Sequence, residues 1–183
     1  MSLTVPLEST MSPEAAASDA ETLARLYGPL VFKAAYRVLG DASLAEDAQQ
    51  EVFLRLLQTP RENVDSWPAY LGTASTRIAI DMLRRQQRWW RLLPQWRAQT
   101  PAAAPSAEHV GMHDQRASQL RAAIARLPRQ QARCFAMRYL ESMDIGDIAR
   151  ALDISENNAG VILHRARRRL ESQLRETASE DSK

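Results

Sequence analysis

Apolar residues along the chain fall into two blocks of helical periodicity separated by a proline-bearing break. Leu23, Leu26, Leu30, Val31, Ala34, Ala35 and Val38 recur at the spacing of one helix face. A Gly40-Asp41 turn interrupts them, and a second run follows through Ala48, Val52, Phe53, Leu56 and Leu57, which together predict a helical hairpin. Pro60 to Ser66 reads as a loop. Helical spacing resumes from Trp67 to Arg88 through Tyr70, Leu71, Ala74, Ile78 and Met82, with Pro68 suited to a first helical turn. Residues 91–115 carry Pro94, Pro101 and Pro105 in a polar, alanine-rich setting that cannot sustain a long helix, which makes them an interdomain linker.

In the second block Leu120, Ala123, Ile124 and Leu127 end at Pro128, and Ala132, Phe135, Ala136 and Tyr139 mark the next helix. Two further helices follow. Ile145, Ile148, Ala149 and Leu152 mark a short one, and Ala159, Leu163, Ala166 and Leu170 a longer one. Only Asp153, Ile154 and Ser155 separate them. Asp144 and Ser155 are placed to cap the helices that follow them, and Ile154 can plug the corner. Helices joined so tightly cross steeply, as in a helix-turn-helix. The expected fold is all-α, with two small helical domains joined by a flexible linker. The divisions are a flexible leader at 1–20, a first domain at 21–90, the linker at 91–115, a second domain at 116–175 and a disordered tail at 176–183.

A helix-turn-helix presents the N-terminal, outward residues of its second helix to base edges. With the core stripe at Ala159, Leu163, Ala166 and Leu170, steps of about 100° put Asn157, Asn158, Val161, His164, Arg165 and Arg168 on the other side. With Ser155 at the turn, these are the candidate DNA contacts. Asn can pair bidentately with adenine, an apolar tip can touch a thymine methyl, and Arg further along can hold phosphates. A merely solvated helix face competes with this reading. The charge distribution favours DNA: residues 116–170 hold eleven Arg against five acids, whereas residues 1–90 hold nine basic residues against eleven acids. Only two of the 24 basic residues are Lys, and the planar Arg fork suits phosphates and base edges, although a GC-rich genome also enriches Arg.

Other chemistry finds little support. The net charge of +2 in 183 residues excludes a purely electrostatic binder. Cys134, the one cysteine, sits in an apolar helical pattern and reads as a buried structural thiol. His109 and His113 stand four apart, but Asp114 alone is a poor third ligand, so a solvated segment is preferred to a metal site. No nucleophile-base pair, phosphate loop or carboxylate pair appears, so neither catalysis nor a cofactor is expected. No apolar stretch reaches membrane length, and the start lacks a charged segment followed by a hydrophobic run, so a cytoplasmic protein without membrane insertion is expected. Translation could begin at Met1 or Met11.

Three segments resemble the extracytoplasmic-function (ECF) sigma factors, group 4 of the sigma-70 family, across residues 21–175. Ala45 to Gln58 (AEDAQQEVFLRLLQ) resembles the helix that docks on the clamp helices of the polymerase's largest subunit. Ala69 to Arg88 (AYLGTASTRIAIDMLRRQQR) resembles the segment that melts and reads the −10 element. Leu127 to Leu170, running through DIGDIARALDISENNAGVILHRARRRL, resembles the region that reads the −35 element. The resemblance implies sigma region 2 in the first domain and region 4 in the second. It implies core RNA polymerase and promoter DNA as partners, an anti-sigma factor as inhibitor, and a non-catalytic role in initiation. Asp47, Gln50, Glu51 and Leu54 match the polymerase-binding positions. Arg77, Arg84, Arg85 and Arg88 match the −10 positions, and the loop Arg61 to Ser66, with Asn63, is the candidate pocket for an unstacked base. Trp67 and Tyr70 lie on the apolar stripe and are assigned to the core.

Two departures stand out. The family often has Lys and Arg where this chain has Gly160 and Ile162, so either the promoter element differs or the contacts shift toward Asn157, Asn158 and the Arg cluster. Trp89, Trp90 and Trp96 at the linker entrance suit a partner surface for an anti-sigma protein, or packing between the domains when the factor is idle. Two alternatives remain: a conventional helix-turn-helix regulator, and a sigma-like mimic that sequesters an anti-sigma factor.

Overall fold

The structure is a computed structural model, which describes residues 13–59, 61, 64–92 and 112–180. These residues form helices α1 (Pro13–Leu39), α2 (Ala42–Gln58), α3 (Trp67–Leu92), α4 (Met112–Arg126), α5 (Arg129–Tyr139), α6 (Ile145–Leu152) and α7 (Glu156–Glu180), with no strand among them. The helices run past the bounds set by apolar periodicity. α1 begins at Pro13, inside the expected leader, because Pro at a first helical position and the alanines after it favour helix. α3 reaches Leu92 and α4 starts at Met112, so each extends slightly into the expected linker, and α7 reaches Glu180, inside the expected tail.

The hairpin of α1 and α2 turns at Gly40, whose φ of +67° is the left-handed conformation that glycine adopts without strain. Its N–H donates to the Tyr36 carbonyl at 2.8 Å, and the Asp41 carboxylate accepts from the Leu44 N–H at 2.9 Å to start α2. The guanidinium of Arg121, from α4, occupies the place a Cβ at Gly40 would need. Val31, Ala35 and Val38 of α1 pack with Ala45, Ala48 and Val52 of α2. Leu26 and Leu30, expected on the same stripe, are instead 62% and 38% exposed. At 100° per residue the buried stripe centres on Val31 and Val38, and both leucines lie to one side of it. α3 packs across both helices, and the buried Ser75 hydroxyl donates to the Val31 carbonyl at 2.6 Å. Trp67 and Tyr70 rest on this core, as expected, in an edge-to-face pair 5.9 Å apart.

In the second half two cores replace the one expected. Ile124, Leu127, Ala132, Ala136, Ala166 and Leu170 continue the core of the first three helices. Cys134, Met137, Ile148, Ala149, Ala159, Ile162 and Leu163 form a separate cluster inside the helix-turn-helix, with Leu152 and Ile154 against it. Cys134 is fully buried, and burial pushes its thiol up to about 11. At the corner the Asp144 carboxylate accepts from the Asp147 N–H at 2.6 Å, and the Ser155 hydroxyl from the Asn158 N–H at 3.2 Å. Asp153 ends α6 with φ of +54°, a left-handed cap that a short polar side chain tolerates.

The two halves are packed together. Asp81 of α3 receives Arg129 of α5 in a forked pair at 2.9 and 2.6 Å, and Arg133 at 2.8 Å. Arg84 donates to the carbonyls of Ala125 and Leu127 at the α4–α5 corner, and Arg37 pairs with Glu141 at 2.9 Å. Burial alone would raise the pKa of Asp81, but the two guanidiniums outweigh it and hold the carboxyl below its usual range. The lowered value means that this cross-link is present at neutral pH and is lost as pH falls through the acid range.

Replacing Asp144 by Ala is expected to cost about 1 kcal/mol by removing a cap. Asp153→Val is expected to cost roughly 1–2 kcal/mol, because a β-branched residue resists the left-handed conformation. Urea unfolding of the full chain measures both.

Candidate nucleic-acid interface

The helix-turn-helix separates its faces sharply. Ala159, Ile162, Leu163, Ala166 and Leu170 are buried, while Asn157, Asn158, Val161, His164, Arg165 and Arg168 are exposed on the first four turns of α7. Val161 is apolar and 40% exposed. Among the described residues neither Arg165 nor Arg168 has an ion-pair partner, whereas Arg167 lies 3.9 Å from Glu171. Ser155 differs from the other candidates: its hydroxyl is engaged in capping α7, so its first task is to set the helix in place. Ile162, absent from the expected core stripe, is 8% exposed and seated in the small core, so a basic residue there could not point outward. A Cβ added at Gly160 would meet nothing within 4 Å.

The candidate polymerase-docking residues lie together on the outer side of α2. Asp47 and Gln50 are exposed, Leu54 is 51% exposed, and Glu51 pairs with Arg55 at 2.7 Å. Ala45, Ala48, Val52 and Leu56 fill the opposite side. Leu26, Leu30 and Leu57, 43% exposed, are assigned to the core by periodicity, and with the docking candidate Leu54 they make up an exposed apolar fringe.

Of the candidate −10 residues, Arg85 and Arg88 are exposed on α3. Arg77 is partly buried: desolvation, and then the nearby Arg133, lower its pKa, and its Nε has no hydrogen-bond partner among the described residues. Arg84 is engaged by the α4–α5 corner as described. Asn63 lies outside the described residues, as do its loop neighbour Glu62, His109 and Trp96. Trp89 is 62% exposed at the end of α3. No group of His, Cys, Asp and Glu able to hold a metal ion occurs among the described residues. Between the halves runs an open cleft of about 1550 Å³, lined by Leu30, Val64, Tyr70, Arg77, Arg133 and Met143 among others.

Sigma-70 region 2 matches residues 23–99 and sigma-70, region 4, matches residues 117–170, together more than half of the chain. The chain belongs to the sigma-70 family, in its ECF branch. It is 28% identical to the ECF RNA polymerase sigma factor SigE of Mycolicibacterium smegmatis over 91% of its own length and 66% of that protein's. It is 23% identical to the ECF RNA polymerase sigma factor SigW of Bacillus subtilis, over 82% and 86% respectively. Against the probable ECF RNA polymerase sigma factor SigI of Mycobacterium tuberculosis it is 26% identical and spans 49% of that protein. This sigma-70-family chain thus spans just under two-thirds and about half of its mycobacterial relatives. Its fold is similar to that in a co-crystal structure of the sigma factor RpoE with the anti-sigma factor NepR from Bartonella quintana. The TM-score is 0.51 and the identity 18%, covering 86% of this chain and 98% of that one. No described helix is long and apolar enough to cross a membrane.

Gly160→Ala is expected to stabilise the chain by about 1 kcal/mol, since only helix propensity changes at an open position. Ile162→Arg, which restores a basic residue at a family position, is expected to cost about 3 kcal/mol or more by burying an unpaired charge. Thermal unfolding of the two variants distinguishes an outward position from an inward one.

Proposed function

We propose that this chain is an alternative sigma factor that binds core RNA polymerase in the cytoplasm, directs initiation at particular promoters and is restrained by an anti-sigma factor. The observation that carries this reading is the exposed face of α7, where two Asn, an apolar tip and unpaired arginines follow a capped helix start. Such a face matches what base-edge and phosphate recognition require. On this reading Asn157 and Asn158 read adenine in the −35 element, Val161 touches a thymine methyl, and His164, Arg165 and Arg168 hold the flanking backbone. The outer side of α2, with Asp47, Gln50, Glu51 and Leu54, docks on the clamp helices, and α3 with the loop before it traps the opened −10 strand. The apolar fringe at Leu26, Leu30, Leu54 and Leu57 supports a protein-docking role for this half. The chain performs no catalysis of its own. Region 2 comprises residues 21–90 and region 4 residues 116–175. Restraint by an inhibitor is supported by the co-crystallised Bartonella sigma factor.

Run-off transcription with core polymerase on genomic fragments tests the reading, and promoter-specific new transcripts are the expected result. Neither transcripts nor co-migration with core polymerase would sink it in favour of an inhibitor-sequestering mimic; tight duplex binding without polymerase would favour a conventional regulator. Asn157→Ala is expected to relax preference at one −35 base pair by roughly 1–3 kcal/mol. Arg165→Ala is expected to weaken all promoters alike and to reduce the salt dependence by about one phosphate contact.

A further inference from the structure

The four polar residues Arg77, Asp81, Arg84 and Arg88 follow one another at helical spacing and form a single ridge on α3. Around the rest of the helix Leu71, Ser75, Thr76, Ile78, Ala79, Ile80 and Leu83 are buried. On the function proposed above, on which this inference rests, that ridge meets DNA. Asp81 is then out of place. A carboxylate amid three arginines would repel phosphates and weaken the contact its neighbours make. In the structure its partners come from the other half of the chain: Arg129 and Arg133 stand on Asp81 as cations beside a carboxylate, and Arg84 donates to two region-4 carbonyls. Arg77 is partly buried next to Arg133.

The packed arrangement therefore covers the same ridge that DNA would need. It is also incompatible with the span of a promoter. Elements named for positions about 35 and 10 base pairs upstream lie roughly 80 Å apart at 3.4 Å per base pair. α5 of region 4, by contrast, touches α3 of region 2 directly. The separate core of the helix-turn-helix and the three-helix core of region 2 give each half packing of its own when they part.

We propose that the free chain is self-inhibited, with Asp81 acting as a latch that holds Arg129 and Arg133 of region 4 over the DNA-facing ridge of α3. Opening releases Arg77 and Arg84 to the nucleic acid. Closure lowers the apparent affinity of the ridge by the fraction of chains that are open.

The test uses the full chain and a double variant, Arg129→Ala with Arg133→Ala. This substitution removes two positive charges, so simple electrostatics predicts weaker binding to DNA. The latch predicts the opposite: affinity for a short single-stranded oligonucleotide rises about tenfold if roughly one chain in ten is open beforehand. The radius of gyration by small-angle scattering rises with it. Asp81→Asn, which removes no positive charge and keeps the side chain's shape, is expected to enlarge the radius in the same way, and guards against misfolding of the double variant. Unchanged or weaker oligonucleotide binding by the double variant, or an unchanged radius in both, would overturn the latch. Wild-type run-off transcription separates this outcome from failure of the sigma-factor reading, because it does not depend on either substitution.

Discussion

Helix α3 is packed on most of its circumference, and the arrangement of the other helices follows from that. Leu71, Ile78, Ala79, Ile80 and Leu83 spread the buried surface over well more than a single stripe, which is the signature of a helix enclosed by neighbours. α1 and α2 cover one part, and the α4–α5 corner covers another. The ridge through Arg77, Asp81, Arg84 and Arg88 is polar and faces the second half of the chain. Groups so close to a low-dielectric core require partners, because an unpaired buried charge costs several kcal/mol more than a paired one. The partners that meet this need are Arg129, Arg133 and the carbonyls of Ala125 and Leu127. The joint between the halves is thus electrostatic at its edge and apolar beneath.

Much of the fold was legible in the sequence, because its strongest signals are local. The Gly40-Asp41 turn, the caps Asp144 and Ser155, and the corner residue Ile154 all depend on chemistry within a few residues of each site. Periodicity also placed the exposed face of α7 with its asparagines and arginines. What it missed requires knowledge of which helices meet. Leu26 and Leu30 read as core because they are apolar and correctly spaced, yet both lie to one side of the buried stripe and none of the described helices buries them. Ile162 lies outside the four-residue stripe that periodicity sets as core, but it joins residues of α5 and α6 in the small core. Arg84 read as a free cation, since nothing local reveals that carbonyls forty residues away will accept its protons. A signal for that joint does exist in the sequence: Asp81 interrupts an otherwise basic ridge, and an interruption of that kind requires a distant basic partner.

The composition of the joint bears on whether it can open. Of the region-4 residues that extend the core of the first three helices, Ala123, Ala125, Ala132, Ala136 and Ala166 are alanines, alongside Ile124, Leu127 and Leu170. Each alanine buries one methyl group, and burial contributes about 0.8 kcal/mol per such group, against two or three times as much for a leucine. The helix-turn-helix core is built differently, from Met137, Ile148, Ile162 and Leu163 around the small residues. Among the buried residues, larger side chains hold α5, α6 and α7 together, while five alanines stand among those of the core shared with the first half. Per buried position, the apolar part of the joint is therefore weaker than the helix-turn-helix core. An interface of that kind favours rigid parts and a reversible joint, which the proposed role, with two surfaces brought to distant elements on one promoter, would require.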